Sequence, residues 1–271
     1  MPHKSFSEFY VQGVERGSGS FGTVYEAKRV SDGKMFAAKI FMGPPVKNDV
    51  NECMFLTKIQ DLYTLGCDEY FINTDFTKYP QLVIITELAI QDLQQYIMSI
   101  SKHVVKEEDG RTAKENQMIM KEEEIIRIIS QVVMGFEYLH KHNITHRDLK
   151  PENILLFADF RVKISDFGLS KLINNTTVSR VKSMTGVGTP VFMAPEILGK
   201  IRGVAPKPFK TDIYSLGMTV YYMMTMQYAD MVEIHQKTLP FPKEYSQELK
   251  DFVYFLLRRL PDERPTISEV L

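Results

Sequence analysis

At 271 residues the chain can bury a sizeable core, as one large domain or two lobes. Its formal net charge of −1 creates no field that would draw it onto nucleic acid or a membrane surface, so neither partner is expected. Two cysteines, Cys53 and Cys67, exclude a disulfide scaffold and fit a reducing compartment. No apolar run approaches the roughly 18 residues that span a bilayer. The opening Met1-Pro2-His3-Lys4 lacks a signal-peptide core, so a cytosolic or nuclear location is predicted.

Near the start, Gly17-Ser18-Gly19-Ser20-Phe21-Gly22 has the G-x-G-x-x-G spacing, which dinucleotide-binding loops share. A dinucleotide loop opens into a helix. This one opens into Thr23-Val24-Tyr25-Glu26-Ala27, which is strand-like. The alternatives are a phosphate-cradling hairpin and a glycine-rich turn with no ligand. Val24 to Val30 and Met35 to Phe41 read as strands flanking the turn Ser31-Asp32-Gly33. Asp49 to Ile59 reads as a short helix, and Leu82 to Thr86 as an apolar strand.

The polar stretch Lys102 to Glu115 is expected to belong to a mobile insertion, bounded at 102–120, between two helices. Beyond it, Ile125, Ile129, Val132, Phe136 and Leu139 recur at steps of four and three, as on one helix face. Thr211 or Asp212 is predicted to begin a helix running to Met226, with another near Ala229 to Gln236. Leu249, Phe252, Val253, Leu256 and Leu257 repeat the apolar pattern, with Ser246 as N-cap. No internal repeat is visible.

The chemistry concentrates in His146-Arg147-Asp148-Leu149-Lys150-Pro151-Glu152-Asn153 and Asp166-Phe167-Gly168. Two carboxylates and an amide on adjacent loops can do two jobs at once. One carboxylate orients a hydroxyl and takes its proton, while the other, with the amide, holds a divalent cation on a nucleoside triphosphate. These loops lie downstream of the glycine loop and of Phe36-Ala37-Ala38-Lys39. From Gly17 to Arg264 the sequence resembles the eukaryotic protein kinase family.

The resemblance implies an α+β bilobal fold, with a small antiparallel β-rich N-lobe at 1–87 and a mainly helical C-lobe at 88–271. It implies ATP and one or two Mg²⁺ ions as cofactors. Lys39 would bind the α- and β-phosphates. Glu52, the only glutamate between Glu26 and Asp68, would hold its ammonium. Thr86 would limit depth behind the adenine, and backbone groups of Glu87 and Ala89 would pair with the base edge. Val24, Ala37 and Leu155 would sandwich the ring, although plain core packing would use the same residues. Asp148 would be the catalytic base, Lys150 would neutralise the transferred phosphoryl, and Asn153 and Asp166 would hold the metal. Gly168 would permit the turn that aims Asp166.

His146 and Phe167 would be packing residues, stacked with Leu56 and Ile72 and anchored by Asp212; a metal-ligand role for His146 is the sharper alternative. Asp92 and Glu152 would face basic residues near the phosphoacceptor, the ribose or solvent. Lys150, together with Gly188-Thr189-Pro190 and Met193-Ala194-Pro195-Glu196, matches the serine/threonine type. Thr189 would contact Asp148 and Lys150, and Glu196 would pair with Arg264. Arg147 would receive a phosphate placed on Thr185 of the Asp166–Glu196 loop by an upstream kinase or a second copy.

Protein substrates and a monomeric domain are expected. The rivals are a non-catalytic module of the same fold, disfavoured because the whole set is present, and a small-molecule kinase, disfavoured by the Gly188–Glu196 segment. Departures from the family are the lack of any tryptophan, with Tyr214 as the aromatic after Asp212, and a short region from Met226 to Pro242. The sequence ends at Leu271, inside the last helix that the resemblance implies.

Overall fold

Ten strands and eight helices are found in the described parts of the computed structural model, which are residues 5–19, 22–59, 61–73, 80–101, 120–172 and 189–271. The strands β1 (Tyr10–Gly19), β2 (Gly22–Arg29), β3 (Met35–Phe41), β4 (Glu69–Asn73) and β5 (Gln81–Glu87) form one antiparallel sheet in the order β1-β2-β3-β5-β4. The expected turn at Ser31-Asp32-Gly33 joins β2 to β3. There Gly33 adopts φ 74° and the Arg29 guanidinium clasps Asp32.

The apolar run of β5 is continuous because both faces of the sheet are covered. Leu82 and Ile84 join the large core, while Val83 and Ile85 alternate into a second cluster with Phe6, Tyr10, Phe36 and Phe71. In that cluster Tyr10 meets Phe36 and Phe71 edge-on, at centroid distances of 5.8 and 5.9 Å. The short helix α1 (Phe6–Phe9) supplies Phe6. Helix α2 (Lys47–Lys58) begins two residues before the predicted start at Asp49. Asp49 lies inside the first turn, where its carboxylate accepts the Val46 N–H at 2.9 Å.

The rest is mainly helical, giving the two-lobed α+β architecture. Short strands β6 (Gln91–Asp92), β8 (Ile154–Leu156) and β9 (Val162–Ile164) make one small sheet, and β7 (Ile144–Thr145) pairs with β10 (Lys171–Leu172). Helix α3 (Leu93–Ser101) precedes α4 (Glu122–Lys141), on which the whole predicted apolar face is buried. The insertion expected between them falls at 102–119, outside the described residues; Met120 is already buried.

Helix α5 (Pro208–Thr225) starts three residues before the earlier of its two predicted starts. Proline at the first position has no N–H to lose and a φ suited to the turn. Thr211 is no cap: its hydroxyl donates back to the Pro208 carbonyl at 2.6 Å. Every residue from Thr211 to Thr225 is buried, so α5 shows no amphipathic period in the sequence. Helix α6 (Met231–Gln236) is capped by Asp230. Helix α7 (Gln247–Leu256) is capped by Ser246, as predicted, whose Oγ accepts the Leu249 N–H at 3.1 Å. A last turn, α8 (Ile267–Val270), closes the described chain.

Arg264 is the largest fully buried side chain, and all five of its donors are used. Nη1 and Nη2 each donate to a Glu196 oxygen at 2.7 Å. The remaining three N–H groups go to the carbonyls of Lys210, Arg259 and Arg258 at 3.0, 3.0 and 2.8 Å. One side chain therefore ties Glu196 to α5 and to the turn after α7. Arg264→Met should destabilise the fold by about 3–5 kcal/mol, because it strands a buried carboxylate. Arg264→Lys should recover little of this, since an ammonium has three donors and no planar fork. Urea denaturation of the three proteins measures the difference, and equal midpoints for wild type and Arg264→Lys would contradict it.

Candidate active site

A cavity of about 370 Å³ opens between the five-stranded sheet and the helical lobe. Gly17, Ser18, Gly22, Val24 and Ala37 line its sheet side. Gly19 pairs with Gly22 across the hairpin turn; Ser20 and Phe21 lie outside the described residues. A Cβ on Gly22 would lie 2.4 Å from the Ile40 carbonyl oxygen, so only glycine lets β2 meet β3 this closely. Leu155 of β8 lines the opposite side, and Thr86, Glu87 and Ala89 line the connection from β5 to β6. Asp92 also lines the cavity, and its Oδ1 accepts the Gln95 N–H at 2.8 Å within the first turn of α3. Burial raises the Asp92 carboxyl above the usual range, against the pull of that hydrogen bond.

Lys39 leaves β3 towards α2, where its Nζ donates to both Glu52 oxygens at 2.7 and 2.9 Å. Asp166 Oδ1 lies 3.9 Å from the same ammonium. Glu52 is only 3% exposed. Burial pushes its carboxyl up, the Lys39 charge pulls it down, and the Asp166 charge adds to the rise. A raised acid beside a single cation depends on that cation for its charge.

The loop after β7 is shaped by one buried carboxylate. Asp212 of α5 accepts the backbone N–H of His146 at 3.0 Å and of Arg147 at 2.8 Å, and His140 Nε2 donates to it at 3.1 Å. Arg147 is held at φ 73°, a left-handed conformation that costs a non-glycine residue energy and persists here because Asp212 fixes it. Both His146 ring nitrogens are occupied: Nε2 donates to the Ser165 carbonyl at 2.8 Å, and Nδ1 accepts the Asp148 N–H at 3.3 Å. Each ring nitrogen thus has a protein partner, which suits a packing residue rather than a metal ligand. His146 meets Phe167 at 5.4 Å between ring centroids. Leu56 joins the same core, but Ile72 is 40% exposed on the edge strand. The Cys67 backbone N–H donates to the Leu56 carbonyl at 3.0 Å.

Asp148 Oδ1 accepts the Thr189 N–H at 2.8 Å, and Oδ2 lies 3.3 Å from Lys150 Nζ. Lys150 also donates to the Thr189 hydroxyl at 2.8 Å. Asn153 spends its amide nitrogen on the Asp148 carbonyl at 2.7 Å, which leaves Oδ1 as its free oxygen. Ser165 fixes Asn153 from the other side, through two bonds to its carbonyl at 2.9 and 3.2 Å. Asp166 itself carries the left-handed turn, at φ 62°. Gly168 has no such φ, which corrects the role expected for it; its backbone N–H bonds Asp166 Oδ1 at 3.4 Å. A Cβ on Gly168 would sit 3.4 Å from both Asp166 Oδ1 and Glu52 Oε2, an apolar group between two carboxylates.

Arg147 is half-buried, and burial lowers its basicity, opposed by the Asp212 charge. Among the described residues no carboxylate forms an ion pair with its guanidinium. Thr185, its expected counterpart, lies outside the described residues.

Sequence reasoning missed His140 and Ser165, which act by holding other groups. It also missed Arg161 and Lys163, which donate to Glu87 at 2.7 and 3.0 Å. Their i, i+2 spacing was the available signal, once β9 is recognised as a strand.

The protein kinase domain family matches residues 10–271, and the chain belongs to it. Serine/threonine-protein kinase 10 of Xenopus tropicalis is 31% identical over 272 residues, covering 95% of this chain and 26% of the relative. Serine/threonine-protein kinase fused of Drosophila melanogaster is 29% identical over 268 residues, covering 94% and 30%. Serine/threonine-protein kinase Nek6 of Oryza sativa subsp. japonica is 36% identical over 170 residues, covering 59% and 30%. The chain thus spans under a third of the length of these relatives.

Lys39→Met should leave Glu52 buried without its cation, at a cost of about 3–5 kcal/mol at neutral pH. The carboxyl would then bind its proton more tightly folded than unfolded. Stability relative to wild type should therefore be retained below about pH 4.3, the unfolded value, and fall as the pH rises above it. Denaturant titrations at pH 5 and pH 8 test this, and a pH-independent difference would refute it.

Proposed function

We propose that this chain is a serine/threonine protein kinase domain, transferring the γ-phosphoryl of ATP to serine and threonine hydroxyls of protein substrates. The observation that carries the reading is the convergence of Asp148, Lys150, Asn153 and Asp166 with the Lys39–Glu52 pair at one cleft. Phosphoryl transfer demands little covalent chemistry of the protein, so positioned charge does most of the work.

Adenine lies between Val24 and Ala37 on one side and Leu155 on the other, against the Glu87–Ala89 backbone. Lys39 meets the α- and β-phosphates, and Glu52 keeps its ammonium in place. Asp148, oriented by the Thr189 N–H, aligns the substrate hydroxyl and accepts its proton. Lys150 offsets charge on the moving phosphoryl group. Asp166 and the free oxygen of Asn153 are hard donors suited to Mg²⁺. Among the described residues no cluster of three or more His, Cys, Asp or Glu could hold a metal, so two protein ligands plus nucleotide phosphates fit the ion's habit of sharing its shell. Held by these two residues, Mg²⁺ would supply positive charge against the nucleotide phosphates.

Thr189 supports the hydroxyl specificity, since it bonds both the base and the lysine. The proposed partners are protein substrates and an activating kinase, which is either upstream or a second copy of a monomeric domain. Among the described residues no helix is long and apolar enough to cross a membrane. An intracellular setting, cytosolic or nuclear, completes the proposal.

The test is a peptide-array phosphorylation assay with Mg-ATP, followed by phosphoamino-acid analysis. Phosphate should appear on serine and threonine, and Asp166→Asn should abolish transfer while leaving the melting temperature unchanged. A predominance of phosphotyrosine, or near-wild-type turnover by Asp166→Asn at saturating Mg-ATP, would overturn the reading.

The same chemistry supports a switch. Phosphate on Thr185 would bring about −1.5 to −2 charge to a loop that begins at Asp166. Half-buried Arg147, which has no ion-pair partner among the described residues, suits it, because an arginine–phosphate contact is bidentate and strong. Thr185→Ala and Arg147→Ala should each lower turnover more than ATP affinity, and the double variant should be little worse than either single one. Multiplicative losses, or full activity of Thr185→Ala, would exclude the switch.

A further inference from the structure

We propose that Arg161 and Lys163 are positioning residues for the adenine end of the cleft, acting through the side chain of Glu87. The inference rests on the nucleotide reading above and adds two residues to it. Glu87 ends β5. It lines the cavity, and its carboxylate reaches into the other lobe. Oε1 accepts from Arg161 Nη2 at 2.7 Å, and Lys163 Nζ lies 3.0 Å from Oε2. Burial opposes the charge on Glu87, yet the bonds from Arg161 and Lys163 outweigh it and lower its pKa.

The strand registers explain why this contact matters. In the β3–β5 ladder Glu87 pairs with Phe36 and Thr86 with Ala37, so the hinge strand is bonded to a residue of the cleft's roof. In the β8–β9 ladder Lys163 pairs with Leu155, a residue of its floor. One carboxylate thus bolts the sheet that carries Ala37 to the sheet that carries Leu155. Phe157 limits where the two cations can go: Arg161 Cζ lies 5.3 Å and Lys163 Nζ 5.7 Å from its ring centroid. The height and register of the slot then depend on both contacts.

Stability is a different matter. The Arg161 and Glu87 side chains are 45% and 37% exposed, and although Lys163 is only 14% exposed, the carboxylate it meets stays open to water, where ion pairs contribute little to folding. Removing the cations should therefore leave the fold in place and change the slot, which makes a clean test possible.

The experiment uses Arg161→Met, Lys163→Met and the double variant, which keep the aliphatic stems. Binding of adenosine and of ATP is measured, with KM and kcat on a peptide substrate and the melting temperature. Adenosine is the deciding probe because it is neutral, so a lost cation cannot act on it through phosphate attraction. The double variant should bind adenosine and ATP weaker by the same factor, roughly fivefold, with kcat and melting temperature unchanged. Arg161→Lys combined with native Lys163 should restore most of the affinity. In wild type, about 0.5 M salt should move adenosine affinity towards that of the double variant. Wild-type adenosine affinity in the double variant would overturn the proposal. So would a loss confined to ATP, which would mean that the cations act on phosphate charge. Adenosine binding by wild type tests the nucleotide reading by itself, and the variant-to-wild-type ratio tests the clasp.

Discussion

The buried carboxylate of Asp212 is the constraint on which the rest of the site depends. It has no exposed surface, and its three donors are the His146 and Arg147 N–H groups and the His140 ring. A buried charge is tolerated only when it is this well bonded. The cost of the left-handed Arg147 backbone is met by those bonds, and that turn sets the direction in which Asp148 leaves the loop. Because α5 is buried along its length, Asp212 cannot move without repacking the helical lobe.

From there the constraint passes by hydrogen bonds to Asn153 and Asp166. His146 binds the Ser165 carbonyl, Ser165 binds Asn153, and Asp166 follows Ser165 in the chain. Asp148 and the Asp166–Asn153 pair are therefore set by one network, although they belong to different loops. In the other direction, Thr189 joins Asp148 and Lys150 to the segment that ends at Glu196, and Arg264 holds Glu196. Asp148 sits between two anchors, each a buried charge with its bonding satisfied.

The fold class was legible through the glycine loop, Lys39 and the Asp148 and Asp166 loops that carry the family resemblance, while steps of three and four marked the apolar faces of α4 and α7. The start of α5 was misjudged. A helix buried on all sides has no polar face to mark its phase, and Thr211 resembles a cap until its hydroxyl is seen bonding backward. Residues that touch the cleft through their own chemistry, such as Lys39, Asp148 and Asp166, were legible as types at characteristic spacings. Those that act through another group were not. Ser165 is an unremarkable serine in the sequence, and Arg161 and Lys163 are two surface cations. The expected role of Gly168 failed for a related reason: sequence marks where a glycine stands, but only the backbone tells that Asp166 takes the strained turn itself.

The ties within the helical lobe and those between the lobes differ in kind. Inside the helical lobe, Asp212 and the Glu196–Arg264 pair are fully buried, and breaking either strands a charge in a low-dielectric interior. Between the lobes, the ties reach partly exposed groups: Asp166 beside Lys39 is 30% exposed, and Arg161 against Glu87 is 45% exposed. Such pairs exchange with water at little cost. A cleft that must admit a nucleotide and release a product needs this asymmetry. The bonds that hold the loop after β7 have no aqueous substitute, whereas those that tie the sheet to the helical lobe do. Lys39 and Glu52 stand apart from both. Their contact joins a sheet strand to α2 within one lobe and is largely buried, so the ammonium is held by its own lobe and meets the other through Asp166, 3.9 Å away.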